Sequence, residues 1–201
     1  MFDNLPLDNL GVLGGTLPKN VHDSVMSEIT EIENYGSSNT YNHGLAGVIE
    51  REYLLEKSRS SLDPFLIQMS KEYAKIWDTN VLTRVGEVWV NLQKKNEYNP
   101  MHSHDGLLSF VIWMKIPYKL SDESQVDNVK NSKSKYTASC FEFVYTNILG
   151  EIVGFKLPIE QGWEGRIVMF PSKLSHQVYP FQTSDGYRIS ISGNLFTKRK
   201  D

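Results

Sequence analysis

The spacing of apolar residues predicts a helix near the start of the chain. Behind Pro18, the residues Val21, Val25, Ile29 and Ile32 recur at intervals of four, four and three positions. Side chains at this spacing lie in one stripe along a helix and can pack together against a core. The polar residues between them would then face solvent.

Two further helices are predicted in the first 80 residues. The pattern over 43–58 is weakly helical. In the next segment Asp63 can cap a helix, Pro64 suits a first helical position, and an apolar stripe follows. We therefore expect residues 1–80 to be mostly helical and to support a core that lies later in the chain.

After residue 80 the pattern changes to short runs rich in β-branched and aromatic residues, separated by turn-forming residues. These runs predict strands at 87–93, 107–116, 139–146, 152–158, 165–170, 176–181 and 187–196. The polar stretch 119–135 is predicted to be a mobile surface loop. Such a series of short strands is typical of a sandwich or barrel, so we expect a mainly β, α+β fold with the helices on one outer face.

The strand predicted at 187–196 has one polar face. Arg188, Ser190, Ser192 and Asn194 alternate with apolar residues. The polar face could point into water from an edge strand, or it could point inward toward a ligand cavity. Alternation by itself favours the edge strand.

Composition narrows the classes of function. The 201 residues suggest one domain, 1–201, with its β core at 85–197, and 22% charged residues are ordinary for a soluble protein. A net charge of −3 gives no reason to expect a nucleic-acid partner. One cysteine excludes an internal disulfide framework, and no signal-peptide or membrane-spanning pattern is present, so we expect a cytoplasmic protein with no membrane partner.

Three histidines are candidate metal ligands. His102 and His104 are two residues apart, so on a strand they would share a face. His176 lies near a later strand, and strands distant in sequence can meet across a barrel. Neutral imidazole is the commonest metal ligand in proteins. The alternative is that the pair lies in a solvated turn and that His176 only ends a strand.

Arg188 is a candidate anion-binding residue. It lies twelve residues after His176, and Ser190 follows on the same strand face. A guanidinium in a partly buried cavity needs an anionic partner, and a ligand carboxylate can accept two hydrogen bonds from it. Ser190 could add a third hydrogen bond. Asn91 and Gln93 could also bind this ligand, or they could be ordinary surface residues.

Together these elements resemble the Fe(II)- and 2-oxoglutarate-dependent oxygenases, in particular a branch common in bacterial and phage genomes. Two segments carry the resemblance, NPMHSHDGLLSFVIWMKIPY (99–118) and GRIVMFPSKLSHQVYPFQTSDGYRISISGNL (165–195). The resemblance implies a double-stranded β-helix, or cupin-like jelly roll, that uses Fe(II), 2-oxoglutarate and O2 to hydroxylate an unidentified substrate in a bacterial or phage-infected cell. In it, His102 and His176 look like iron ligands, and Arg188 with Ser190 looks like the group that binds the far carboxylate of 2-oxoglutarate.

One position departs from the family pattern. The oxygenases usually place a carboxylate two residues after the first histidine, where this sequence has His104, and Asp105 follows. His104 could complete a three-histidine site, Asp105 could reach in from the turn, or neither could bind the metal; the shared strand face favours His104. The departure leaves open a non-catalytic binding or structural phage protein on the same scaffold. A cupin-type zinc or nickel enzyme is a further alternative, against which the Arg188–Ser190 pair argues.

Overall fold

The computed structural model of the protein describes residues 11–42, 46–79, 82–131 and 138–198, and over these ranges two β-sheets pack face to face. The strands are β1 (Leu13–Thr16), β2 (Glu52–Leu54), β3 (Thr83–Gln93), β4 (Asn99–His102), β5 (Leu108–Lys115), β6 (Phe141–Thr146), β7 (Ile152–Leu157), β8 (Arg166–Pro171), β9 (Ser175–Val178) and β10 (Arg188–Thr197). The helices are α1 (Lys19–Tyr35), α2 (Arg59–Ile76), α3 (Leu120–Glu123) and α4 (Asp127–Lys130). The strands predicted after residue 80 correspond to β3 and to β5 through β10, whereas β1, β2 and β4 were not predicted.

Antiparallel pairing arranges these strands in two sheets. Six of the described strands form the larger sheet in the order β1-β8-β5-β10-β3-β2, and four form the smaller sheet in the order β4-β9-β6-β7. β10 lies between β3 and β5, in the middle of the larger sheet. The edge-strand interpretation of 187–196 is therefore wrong. Its polar face points into the space between the two sheets, where a cavity replaces a continuous apolar core.

The two long helices cover the outer face of the larger sheet, as predicted. The stripe formed by Val21, Val25, Ile29 and Ile32 is buried, and it belongs to the same apolar cluster as the outward-facing residues of β3, β5 and β10. Burying each such side chain stabilises the fold by roughly 1.5–3 kcal/mol. No helix in the described part of the chain is both long enough and apolar enough to span a membrane.

A second apolar cluster lies between the sheets. Phe141 and Phe143 of the smaller sheet pack there against Phe170 of β8 and Trp113 of β5. Phe181, from the segment after β9, is fully buried in the same cluster. This cluster fills only part of the space between the sheets, and the remainder is lined by polar side chains.

The segment before α2 differs from its prediction. Residues 43–58 contain β2, which pairs with β3, rather than a helix, and residues 43–45 lie outside the described residues. α2 begins at Arg59, so Pro64 lies inside the helix and Asp63 binds Arg59 through two hydrogen bonds of 2.6 and 2.8 Å. The local sequence pattern predicts a start for α2 that is too late, because a contact from α1 anchors the true start.

Glu28 of α1 anchors the start of α2. Its buried carboxylate accepts hydrogen bonds from the backbone N–H groups of Glu56, Lys57 and Ser58, at 2.8 to 3.0 Å, and from Ser58 Oγ at 2.6 Å. Burial alone would raise the pKa of this carboxyl, but the hydrogen bonds outweigh burial and hold the pKa below its usual range. A side chain on one helix therefore caps the next.

The 119–135 stretch was predicted to be a mobile surface loop, but its first part is folded. Glu123, at the end of α3, is buried and accepts hydrogen bonds from Gln182 N, Thr183 N and Thr183 Oγ1. These bonds attach α3 to the segment that leads into β10. Residues 132–135 of the stretch lie outside the described residues.

Replacing Glu28 tests the anchor of α2. Glu28→Gln keeps the shape of the side chain but removes its charge and part of its acceptor capacity, so we expect the free energy of unfolding to fall by about 2 kcal/mol. Chemical denaturation at neutral pH measures this change. The control is Glu31→Gln, in the half-exposed ion pair with Lys57, which should reduce the stability far less. Equal losses in the two variants would contradict the anchoring role.

Candidate metal centre

Pairing between β4 and β9 brings three histidines together. His102 and His176 are direct partners in this antiparallel pair, and their ring centroids lie 4.4 Å apart. The ring of His104 lies 4.9 Å from that of His102 and 5.1 Å from that of His176. One nitrogen from each ring lies within 4.8 Å of the other two. At this spacing a single metal ion could contact all three after small side-chain rotations.

Backbone carbonyls orient two of the three rings. The Nδ1 atom of His102 lies 2.6 Å from the carbonyl oxygen of Pro100, and that of His176 lies 3.0 Å from the carbonyl oxygen of Leu174. A carbonyl oxygen only accepts hydrogen bonds, so both Nδ1 atoms carry the hydrogen. The lone pair on Nε2 is then free in each ring, which is the usual arrangement of a metal-binding histidine.

The site favours neutral imidazoles. Burial, together with the nearby charge of His102, lowers the pKa of His176 to about 3 and that of His104 to about 4. Desolvation has this sign because it disfavours the charged form of a base. His104 and His176 are therefore neutral at pH 7 and can donate a lone pair to a metal. Three imidazoles suit divalent first-row metals, Fe(II) among them, although this donor type does not select one metal.

Asp105 lies away from the histidines. Its side chain is 96% exposed, and its carboxylate is 3.0 Å from Lys173 Nζ. His104 instead lines the cavity, and its backbone N–H donates to the carbonyl oxygen of Ser172 at 2.8 Å. Its ring centroid lies 6.1 Å from that of Trp89. The structure thus brings together His102, His104 and His176 and leaves Asp105 in solvent.

The histidines face a polar wall formed by the larger sheet. Four residues of that sheet are successive partners across neighbouring strands: Glu52 of β2, Asn91 of β3, Ser190 of β10 and Trp113 of β5. Residues directly opposite each other project from the same face of a sheet. All four line the same cavity as the three histidines.

Arg188 lies in this wall as a buried cation. It is 2% exposed, and its guanidinium donates to Gln93 Oε1 at 2.7 and 3.1 Å, to Tyr118 Oη at 3.1 Å, and to the carbonyl oxygens of Ser139 and Tyr179 at 2.9 and 2.8 Å. All of these acceptors are neutral. Among the described residues no carboxylate forms an ion pair with Arg188. The buried charge therefore lacks a counter-ion from this part of the protein.

Asn91 presents an acceptor to the cavity. Its Nδ2 atom donates to Ser190 Oγ at 3.2 Å, with longer contacts of 3.4 Å to Ser190 O and Ser192 Oγ. Its buried Oδ1 atom has no partner among the described residues. Asn91 was predicted to hydrogen-bond the same ligand as Arg188. It does lie beside that site, but its amide N–H groups are already engaged.

Sequence reasoning missed Glu52. This residue is 1% exposed and lines the cavity, and its Oε1 atom also lacks a partner among the described residues. Burial, together with the negative charge of Glu97, raises the pKa of Glu52 to about 8. Nothing in the local pattern marks it, because one glutamate in a weakly helical stretch is typical of a surface position.

Comparison with known proteins agrees with this geometry. The family described as "Putative 2OG-Fe(II) oxygenase" matches residues 87–194, which is more than half of the chain. A search of curated proteins finds no match.

Solved structures share the fold. A prolyl-4-hydroxylase from Pseudomonas putida is 14% identical, with a TM-score of 0.61 over 94% of each chain. A prolyl hydroxylase from Trichoplax adhaerens, in complex with a hypoxia inducible factor peptide fragment, is 12% identical, with a TM-score of 0.56 over 93% of this chain and 83% of its own. The epimerase SnoN, in complex with Fe3+, alpha ketoglutarate and nogalamycin RO, is 13% identical, with a TM-score of 0.59 over 93% of this chain and 79% of its own. These likenesses confirm the predicted double-stranded β-helix.

The lowered histidine pKa values predict acid sensitivity of the metal-free protein. In the unfolded chain His104 and His176 take up protons near pH 6.5, but in the folded protein only near pH 4 and pH 3. Unfolding therefore takes up protons below about pH 6.5, and each histidine lowers stability by roughly 1 kcal/mol per pH unit as the pH falls.

Denaturation of two variants between pH 6.5 and 5 checks this linkage. Compared with the wild type, His104→Gln and His176→Gln should both lose stability less steeply as the pH falls. The comparison with the wild type is necessary because Glu52 has a raised pKa and therefore stabilises the folded protein as the pH falls, which opposes the effect of the histidines. Identical slopes for the wild type and His104→Gln would contradict the prediction.

Proposed function

The chain belongs to the 2OG-Fe(II) oxygenase family, and on that premise we propose that His102, His104 and His176 hold the Fe(II) and that Arg188 and Ser190 bind 2-oxoglutarate. The protein is a 2-oxoglutarate-dependent dioxygenase whose substrate is unidentified, with Fe(II), 2-oxoglutarate and O2 as its metal and cosubstrates. One observation carries the assignment of residues: three imidazoles line one cavity together with a buried guanidinium that has no ion-pair partner among the described residues.

The histidines are prepared to bind a divalent metal. The carbonyl oxygens of Pro100 and Leu174 accept hydrogen bonds from the Nδ1–H groups of His102 and His176, which leaves both Nε2 atoms free to bind a metal. Three neutral imidazoles leave the metal at +2, a charge that the 2-oxoglutarate dianion can neutralise, whereas an aspartate ligand would make the complex anionic. When bound, Fe(II) together with 2-oxoglutarate supplies the redox chemistry that couples reduction of O2 to oxidation of the substrate.

Arg188 supplies the charge that recognises the cosubstrate. Gln93 Oε1 accepts from both Nε and Nη2 of the guanidinium, the same pair of donors that a carboxylate would engage side by side. We infer that the far carboxylate of 2-oxoglutarate replaces the Gln93 oxygen there. The exchange is favourable because hydrogen bonds between ions are roughly twice as strong as those between neutral groups.

Ser190 and Asn91 differ in their proposed contributions. The Ser190 hydroxyl lies on the same strand face as Arg188 and can donate to the carboxylate while it accepts from Asn91 Nδ2. Asn91 then positions Ser190, and direct binding of 2-oxoglutarate by Asn91 stays a prediction. The cytoplasm of a bacterial or phage-infected cell, and a substrate other than nucleic acid, also stay predictions.

The ligand set is tested by comparing two neighbouring positions. His104→Ala should weaken metal binding more than about 100-fold, because loss of a ligand costs more than loss of an outer hydrogen-bond partner. Asp105→Asn should leave the affinity within a factor of about two, because this carboxylate is exposed and bound to Lys173. Anaerobic Fe(II) titration with 2-oxoglutarate, followed by the visible charge-transfer band, measures both. The reverse ranking would assign the third ligand to Asp105, and a folded wild type without the band would favour the non-catalytic alternative.

The cosubstrate site is tested with Arg188→Lys. This variant keeps the positive charge but loses the paired donors, so we expect 2-oxoglutarate to bind about tenfold or more weakly while metal affinity in its absence stays unchanged. The matched control is Arg84→Lys, on the exposed part of β3, where the guanidinium stacks on Phe196. Unchanged 2-oxoglutarate affinity in folded Arg188→Lys would show that the carboxylate binds elsewhere.

A further inference from the structure

We propose that Glu52 and Asn91 form a subsite for a cationic nitrogen group of the substrate, an ammonium or a guanidinium. The inference rests on the proposed function, because it assigns a substrate class to the same cavity. It concerns a wall of that cavity that neither the histidines nor Arg188 occupies.

Two buried acceptor atoms meet in this wall. Glu52 of β2 and Asn91 of β3 are direct partners in the larger sheet, and they are 1% and 3% exposed. Glu52 Oε1 and Asn91 Oδ1 both lack a hydrogen-bond partner among the described residues. An acceptor that is removed from water without a donor destabilises a fold, so such atoms are rarely left without a ligand or an ordered water.

The surrounding contacts keep both oxygens available. Asn91 Nδ2 donates to Ser190 and Ser192 on β10, so the amide is held with Oδ1 directed away from that strand. Within the described ranges the other Glu52 oxygen, Oε2, accepts only a long hydrogen bond of 3.4 Å from Asn42 Nδ2. The pair therefore offers a ligand two acceptors and no donor, as long as Glu52 is ionised.

Charge favours a cation over a neutral donor. No lysine or arginine among the described residues forms an ion pair with Glu52, and the charged group that shifts its pKa is another acid, Glu97. Burial and this like charge raise the pKa of Glu52 to about 8, and a bound cation would lower it again. Without a cation Glu52 is mostly protonated at pH 7, so a neutral amide would gain no ionic hydrogen bond from it, whereas a bound cation stabilises the ionised form.

The subsite also complements the cosubstrate site. Arg188 is the partner of Gln93, two residues along β3 from Asn91, and no ion pair joins Arg188 to Glu52. The cavity thus has a positive group for an anionic cosubstrate and, separately, an acidic group for a substrate of opposite charge.

Two isosteric probes test the subsite. Methylguanidinium is a cation, and methylurea has nearly the same shape without the charge. Calorimetry on the anaerobic protein loaded with Fe(II) and 2-oxoglutarate should show about tenfold tighter binding of methylguanidinium, the size expected for charge-assisted hydrogen bonds. Glu52→Gln should abolish this preference. Glu50→Gln, which removes the same charge from an exposed ion pair with Lys94, should retain it.

The outcomes separate this proposal from the proposed function. Equal binding of the two probes by the wild type, or a preference that persists in Glu52→Gln, would overturn the subsite, and the wild-type comparison decides alone if the variant does not fold. Loss of the Fe(II)–2-oxoglutarate band in folded Glu52→Gln would place Glu52 in the metal or cosubstrate site. This result would also overturn the proposed subsite. A wild type without the band that still prefers methylguanidinium would keep the subsite and reject the proposed function.

Discussion

The antiparallel pairing of β4 with β9 is the contact on which the site depends. It sets His102 directly opposite His176, although 74 positions separate them in the sequence. The two carbonyl groups that orient these imidazoles, of Pro100 and Leu174, each lie two residues before their histidine. The local backbone thus orients each ring, and the strand pairing brings the two together. Changing the register of this short pair would separate the ligand atoms and redirect both rings.

The polar face of β10 explains why the sheets do not close on a continuous apolar core. A central strand normally buries both faces in apolar surroundings, and β10 does so only toward the helices, where Ile189 and Ile191 are fully buried. Toward the smaller sheet it presents Arg188, Ser190 and Ser192. Burying an arginine is costly without a partner, and neutral acceptors satisfy its N–H groups without neutralising its charge. The resulting need for an anion links the packing of this strand to the chemistry of the cavity.

Charges in the cavity are separated by the geometry of the larger sheet. Neutral imidazoles face it from the smaller sheet, Arg188 lies beside Gln93, and Glu52 lies beside Asn91. The cation and the carboxyl do not neutralise each other, because they belong to strands on opposite sides of β3. Each therefore keeps a binding capacity that an internal ion pair would have removed.

The sequence by itself determined the helix behind Pro18, the strands β3 and β5 through β10, and the residue types of the site. Local periodicity and short motifs carry this information, because they depend on neighbours within a few positions. Tertiary structure alone decided that residues 52–54 form a strand rather than a helix, that β10 is central, and that Asp105 points outward while His104 points inward. It also placed Glu52 in the cavity. These outcomes depend on partners that are distant along the chain, and whether a polar face meets water or a ligand is settled only by what lies opposite it.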